Sequence, residues 1–122
     1  MAAEPTITRL RETEAIEFPW GHLNWLCSGE LDAGAESTFG LCTIKSGQRN
    51  PRHYHPNCEE TLYVLSGVCE HTFGEGRHQL EAGEMIRIPR EVVHNAINVG
   101  DEDLVCVISF SSPHREAVFV EE

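Results

Sequence analysis

The chain has 122 residues, of which 40% are hydrophobic and 24% are charged, the balance of an ordinary globular domain. Its 20 acidic and 9 basic residues give a formal net charge of −11, which argues against nucleic acid or an anionic membrane surface as a partner. No apolar run is long enough to span a bilayer and no signal-peptide pattern opens the chain, so we expect a cytoplasmic location.

Short apolar segments separated by Gly, Pro, Asn and Asp recur along the chain and predict an all-β barrel or sandwich. No helical periodicity competes over a comparable length. We expect one domain over residues 1–122, with an N-terminal arm and strand at 1–36, a barrel core at 37–112 and a C-terminal segment at 113–122. The predicted strands cover residues 22–27, 38–44, 52–55, 60–66, 68–73, 77–80, 85–88, 92–98 and 104–110.

The aromatic and sulfur side chains of these segments are predicted to fill the core. Trp20 and Trp25 are interpreted as core or interface aromatics rather than as a binding platform. The chain has an odd number of cysteines and no C-x-x-C pair, which argues against a closed set of disulfides. We therefore expect mostly buried free thiols at Cys27, Cys42, Cys58, Cys69 and Cys106.

The stretch GQRNPRHYHPNCEETLYVLSG, residues 47–67, places two histidines one residue apart. In an extended strand, side chains two residues apart leave the same face, so His53 and His55 are predicted to point at one spot while Tyr54 points away. Residues 56–59 form a predicted turn, and Glu60 opens the next strand. By the same parity, Leu62 and Val64 face inward with Glu60.

The stretch GEMIRIPREVVHNAIN, residues 83–98, adds a third imidazole. Pro89 ends a short strand, because proline cannot donate in the middle of a ladder, and His94 lies in the strand that follows. Three imidazoles and one carboxylate suit a single divalent transition ion, with iron, manganese, nickel, copper and zinc all open. On an octahedral ion, four protein ligands would leave two positions for other groups.

These two stretches resemble the two motifs of the cupin family. The first motif matches at Gly47, His53, His55, Glu60 and Gly67, and the second matches at Gly83, Pro89, His94 and Asn98. Glu59 fits a shorter form of the first motif only if its last spacing grows by one residue, so Glu60 is the preferred ligand. Glu91 stands where the family has a second glycine.

The resemblance implies a double-stranded β-helix, a barrel of the jelly-roll kind. It also implies that His53, His55, Glu60 and His94 are the metal ligands. Taken singly, each histidine has ordinary alternatives, such as a solvated surface position or a filled hydrogen bond. The remaining histidines, His22, His71, His78 and His114, are interpreted as surface residues.

The resemblance leaves two classes of function open. One is a metalloenzyme acting on a small organic substrate, favoured as dioxygenase-like, with cupin isomerases and polyketide cyclases as alternatives. The other is a non-catalytic small-molecule binding or sensor module. No acid or base is assigned, because the parity of the strands turns Tyr54 and Tyr63 away from the pocket.

A homodimer is predicted from the face opposite the pocket. Tyr63, Leu65, Cys69 and Phe73 are expected to lie on that face. Such a band would expose an apolar patch that monomers seldom tolerate.

Overall fold

The computed structural model of the chain describes residues 4–121. These residues form an almost entirely β structure, and no helix among them is long and apolar enough to cross a membrane. A single turn of 3-10 helix, Leu10–Glu12, precedes the strands β1 (Ile16–Phe18), β2 (Gly21–Cys27), β3 (Thr38–Ile44), β4 (His53–Tyr54), β5 (Glu60–Ser66), β6 (Val68–Phe73), β7 (Gly76–Glu81), β8 (Met85–Ile88), β9 (His94–Asn98), β10 (Leu104–Phe110) and β11 (Val118–Phe119).

The strands form two antiparallel sheets. One has the order β1-β2-β3-β10-β5-β8 and the other the order β11-β4-β9-β6-β7. Strands far apart in the sequence are therefore neighbours in each sheet, as in a jelly roll. The core draws buried side chains from both sheets, such as Ile44 and Val64 from the larger and Cys69 and Ala96 from the smaller.

Alternation of buried and exposed residues explains why the central strands form. Along β10 every second side chain from Leu104 to Phe110 is buried. In β5 the buried residues are Glu60, Leu62 and Val64. The predicted inward parity of β5 is therefore confirmed.

Most strand boundaries agree with the prediction, but two strands were missed. Strands β1 and β11 are short, and their apolar residues Ile16, Val118 and Phe119 are exposed. These strands have only three and two residues, too few for sequence periodicity to be recognised. Strand β9 also begins at His94, two residues later than predicted.

The prediction about the face opposite the pocket was wrong in part. Tyr63 and Leu65 are exposed, with 41% and 49% of their surface accessible. Cys69, however, is fully buried in the core, and Phe73 is partly buried. Strand β6 turns the face that carries Cys69 inward. The prediction failed because the sequence VCEHTF has polar residues on both faces, so alternation does not show which face is buried.

Candidate metal centre

Four buried side chains converge between the two sheets. His53 lies on β4, Glu60 begins β5, His94 begins β9, and His55 follows β4 by one residue. His53 and His94 are direct partners across the β4–β9 pair. One potential ligand atom from each residue lies within 4.8 Å of all the others, and all four residues are buried. The structure thus brings together the four residues that the two motifs predicted.

Backbone carbonyls orient two of the imidazoles. His53 Nδ1 donates to the carbonyl of Pro51 at 2.7 Å, and His55 Nδ1 donates to the carbonyl of Glu116 at 2.8 Å. A carbonyl only accepts hydrogen bonds, so Nδ1 carries the proton and Nε2 keeps its lone pair when the ring is neutral. This outer contact is the arrangement that holds a histidine in place as a metal ligand.

Hydrogen-bond acceptor atoms of the imidazoles and of Glu60 face one another in this cluster, an arrangement that a bound cation would stabilise. His55 Nε2 lies 3.2 Å from Glu60 Oε1, and His94 Nε2 lies 3.5 Å from the same oxygen. Two acceptors at such distances repel unless a proton or a cation lies between them. Both ring nitrogens of His94 are buried and form no hydrogen bond with any residue between 4 and 121. The donor set therefore fits a bound metal ion.

The pKa shifts favour the ionisation state that a metal requires. Burial lowers the pKa of His94 to about 3 and also lowers the pKa of His53. Burial by itself would raise the pKa of Glu60, but a hydrogen bond from His55 and the positive charge of His94, His55 and His53, which act when these rings carry a second proton, lower it to about 2. At neutral pH the Glu60 carboxylate is therefore ionised while His53 and His94 are neutral, and these are the forms that coordinate a cation.

The structure distinguishes the two adjacent glutamates. Glu60 is buried within the cluster, whereas Glu59 points outward and forms an ion pair with Arg87 at 2.9 Å. Glu91 adopts a left-handed backbone with φ +68°, and its N–H donates to the carbonyl of His55. Glu91 thus adopts the same turn that glycine would adopt, although glycine would do so with less conformational strain.

Side chains outside the cluster hold its two motif strands together. Strands β4 and β9 pair only at His53 and His94. Asn95 donates from its amide to the carbonyl of Asn50, and Asn50 in turn accepts from the N–H of Ala96. These hydrogen bonds tie the chain before β4 to β9, so that the imidazoles of both motifs stay in contact.

A cavity of about 160 Å³ opens beside the cluster. Aromatic and aliphatic side chains form most of its wall, including Trp20, Leu23, Trp25 and Ile108. The two tryptophans pack against the core as predicted, but they also line the cavity, a role the prediction had set aside. An engineered apolar cavity of about 150 Å³ binds benzene, so a small organic molecule fits here.

The surface interpretation of His71 was wrong. Only 1% of its surface is accessible, and its ring stacks on His94 with centroids 5.3 Å apart. His71 lies on the same inward face of β6 as Cys69, so one register choice explains both errors. His78 and His114 are exposed as predicted, and His22 is half-buried.

Sequence reasoning also missed the C-terminal segment. Arg115, Ala117 and Phe119 line the cavity, and the Phe119 ring lies 5.7 Å from that of His53. No local pattern points to these residues, because the contact depends on residues 113–120 folding back over the barrel.

The cysteines do not supply further ligands. Cys42, Cys58, Cys69 and Cys106 are buried free thiols, as predicted, and Cys27 is a half-buried one. Burial, reinforced by the charge of Glu60, raises the pKa of Cys42 to about 12. Its thiol therefore stays protonated and does not compete for a cation.

Residues 40–110 match the family described as "Cupin domain". The chain belongs to the cupin family. Among curated relatives, this cupin is 40% identical over 70 residues to Protein SchB of Streptomyces halstedii, a match that covers 57% of the chain and 51% of SchB. It is 33% identical over 108 residues to Polyketide synthase CurC of Streptomyces cyaneus, covering 88% of the chain and 70% of CurC.

Oxalate decarboxylase OxdC of Bacillus subtilis is similar in both sequence and structure. The sequence match is 30% identical over 115 residues and covers 90% of this cupin but only 30% of OxdC. A solved structure of OxdC carrying the S161A mutation superposes with a TM-score of 0.83, covering 92% of this cupin and 31% of that chain. This cupin thus spans about half of SchB and less than a third of OxdC.

Proposed function

We propose that this cupin is a metal-dependent enzyme that acts on a small organic substrate by dioxygenase-like chemistry. His53, His55, Glu60 and His94 would hold one divalent transition ion, with iron, manganese, nickel, copper and zinc as candidates. OxdC has Mn(II) centres, which supports manganese among them. An enzymatic function is supported by the relatives, which include an oxalate decarboxylase and the polyketide synthase CurC.

One observation carries the proposal: the four-residue cluster forms part of the wall of the 160 Å³ cavity instead of being sealed inside the core. A divalent ion bound there would polarise an oxygen of the substrate or take part in electron transfer. The protein's own contribution is to keep His53 and His94 neutral, to orient His53 and His55 through backbone carbonyls, and to exclude water with aromatic walls.

The proposal is tested with an oxygen electrode. Protein loaded with iron(II) is expected to consume dioxygen in the presence of a small enol, thiol or catechol-like compound, whereas His55→Ala, lacking a ligand, should fall to the rate of free iron. His78→Ala changes an exposed histidine and should keep the wild-type rate. The same compound panel is run with the manganese, nickel, copper and zinc forms. If compounds bind at the metal but no loaded form turns any of them over, the protein is a binding or sensor module.

The similarity to CurC supports a second candidate, a step in polyketide cyclisation. The cavity volume of about 160 Å³ argues against this candidate, because a molecule of several fused rings is larger and would enter only if the walls moved apart. Small substrates therefore remain the first choice.

We also propose that the protein works in the cytoplasm as a homodimer. The free thiols suit a reducing compartment. On the outer face of the larger sheet, Phe39, Tyr63, Leu65 and Met85 are 39%, 41%, 49% and 58% accessible. Tyr63 and Met85 are direct cross-strand partners, so this face presents adjoining apolar side chains that a second copy would cover.

Light scattering at tens of micromolar is expected to give the mass of a dimer. Leu65→Glu should shift the protein to monomer, because a buried unpaired charge opposes association. Val99→Glu introduces the same charge at an equally exposed apolar residue at the end of β9 and should leave the dimer intact. A monomeric wild-type mass would refute the homodimer.

A further inference from the structure

In the described part of the chain, Arg115 is the one arginine or lysine that lines the cavity beside the metal cluster. It lies five residues after the end of β10, in the segment that folds back over the barrel. Its guanidinium carbon lies 4.5 Å from the ring centroid of Trp25 and 5.2 Å from that of Phe110. These two cation–π contacts hold the guanidinium at the cavity wall.

The guanidinium has no anionic partner in the described part of the chain. Neither an ion pair nor a side-chain hydrogen bond joins Arg115 to any residue between 4 and 121. Glu60 attracts it electrostatically, but the oxygens of Glu60 face His55 and His94. A half-buried guanidinium has five donors and no acceptor, so the donors of Arg115 are free to pair with a ligand in the cavity.

The charges around the cavity point to an anion. Among the lining residues between 4 and 121, Glu60 is the only one with a carboxylate, and its charge balances that of Arg115. A divalent ion on the four-residue cluster would leave this apolar enclosure with two positive charges in excess. Because the surroundings are of low dielectric, that excess favours a negatively charged ligand strongly over a neutral one of the same shape.

We propose that Arg115 binds the carboxylate of the substrate, which makes a small carboxylate with an apolar body the substrate class of this enzyme. The planar fork of arginine matches the two oxygens of a carboxylate, and lysine cannot reproduce that pairing. The apolar body would pack against the wall formed by residues such as Trp20 and Leu23. This inference rests on the proposed function and narrows it.

A structural role for Arg115 makes a different prediction. On its other side Arg115 borders a polar hollow that is also lined by Glu30 and His114. If its task were only to cover Trp25 or to offset the charge of Glu30, small carboxylates would bind no better than neutral analogues. Replacing Arg115 would then change stability without changing which ligands bind.

Tryptophan fluorescence is a direct readout, because both tryptophans of the chain line the cavity. The probes are benzoate and benzamide, which have the same shape and differ in charge. Each is titrated into zinc-loaded and metal-free protein, so that a carboxylate bound to the ion is separated from one bound to Arg115. The variants are Arg115→Gln, Arg115→Lys and, as the matched control, Arg87→Gln, which removes one exposed positive charge from the outer face.

Benzoate is expected to bind wild type at least about tenfold more tightly than benzamide, and Arg115→Gln to abolish that preference, because a charge-assisted pair is lost. Arg115→Lys should keep part of it, and Arg87→Gln all of it. Arg115→Lys retains the charge, so it decides the matter should Arg115→Gln fail to fold. The inference is overturned by equal affinity for the two probes, by no benzoate binding to wild type, or by unchanged affinity in both Arg115 variants.

The outcome is separable from that of the proposed function. If the protein binds none of the five candidate ions and still binds benzoate in a manner that depends on Arg115, the metal proposal is refuted and this one stands. If the protein binds zinc but replacing Arg115 leaves the affinity for benzoate unchanged, the metal proposal stands and the role of Arg115 is refuted.

Discussion

Replacing any one of His53, His55, Glu60 or His94 by alanine is expected to abolish stoichiometric metal binding. Each replacement removes one of four atoms that lie within 4.8 Å of one another, and the remaining three residues cannot move to compensate because they are buried on packed strands or, for His55, directly beside one. The loss of metal affinity should exceed the ~10–100-fold loss that is typical when a residue hydrogen-bonded to a metal ligand is replaced. Elemental analysis after dialysis against a metal-buffered solution measures it.

Two histidine variants serve as controls for this result. His78→Ala changes an exposed imidazole and should bind metal like wild type. His71→Ala removes the buried ring that stacks on His94 but lies outside the cluster of candidate ligands, so it should also keep one ion per chain. Undiminished metal in His94→Ala would instead exclude the second motif from the site.

Asn98→Ala is expected to lower the free energy of unfolding by about 3 kcal/mol while leaving the metal stoichiometry of the folded protein unchanged. Its amide donates to the carbonyls of Ile44 and Glu102, both at 2.8 Å, and its oxygen accepts from the N–H of Gly100. The side chain is buried, so alanine would leave these groups without partners. It does not line the cavity, and metal binding should therefore survive.

Urea unfolding of metal-free protein measures the effect of Asn98. Asn98→Asp has the same shape but cannot donate to either carbonyl, so it should destabilise at least as much as Asn98→Ala. Asn24→Ala is the matched control, because Asn24 is half-buried and makes one side-chain hydrogen bond, to Thr13; its loss should cost about 1 kcal/mol or less. If Asn98→Ala were as stable as Asn24→Ala, the role assigned to the motif asparagine would be wrong.

Three of the candidate ligands, His53, His55 and Glu60, were readable from the sequence because short-range rules bring them together. Two histidines at spacing two share a face of a strand, and a turn of four residues returns the chain at Glu60. His94 needed more than spacing, since it lies 34 residues beyond Glu60. Only the resemblance of both stretches to the cupin motifs joined the two halves of the site before the fold was known.

Strand β6 marks the limit of such reasoning. Cys69, His71 and Phe73 alternate there with Val68, Glu70 and Thr72, and each face carries both apolar and polar side chains. Alternation therefore could not say which face turns inward. Pairing with β9 decided it, by placing His71 opposite Ala96 and stacking its ring on His94.

The sequence by itself determined the all-β class, most strand positions and the candidate ligands, because strand parity, turn residues and motif spacing are local properties of the chain. The tertiary structure alone decided what surrounds those ligands. Arg115 and Phe119 reach the cavity only because residues 113–120 fold back across the barrel, where Glu116 accepts from His55 and Val120 donates to Arg52. Contacts between residues some 60 positions apart follow from packing of the whole domain, and no local pattern encodes them.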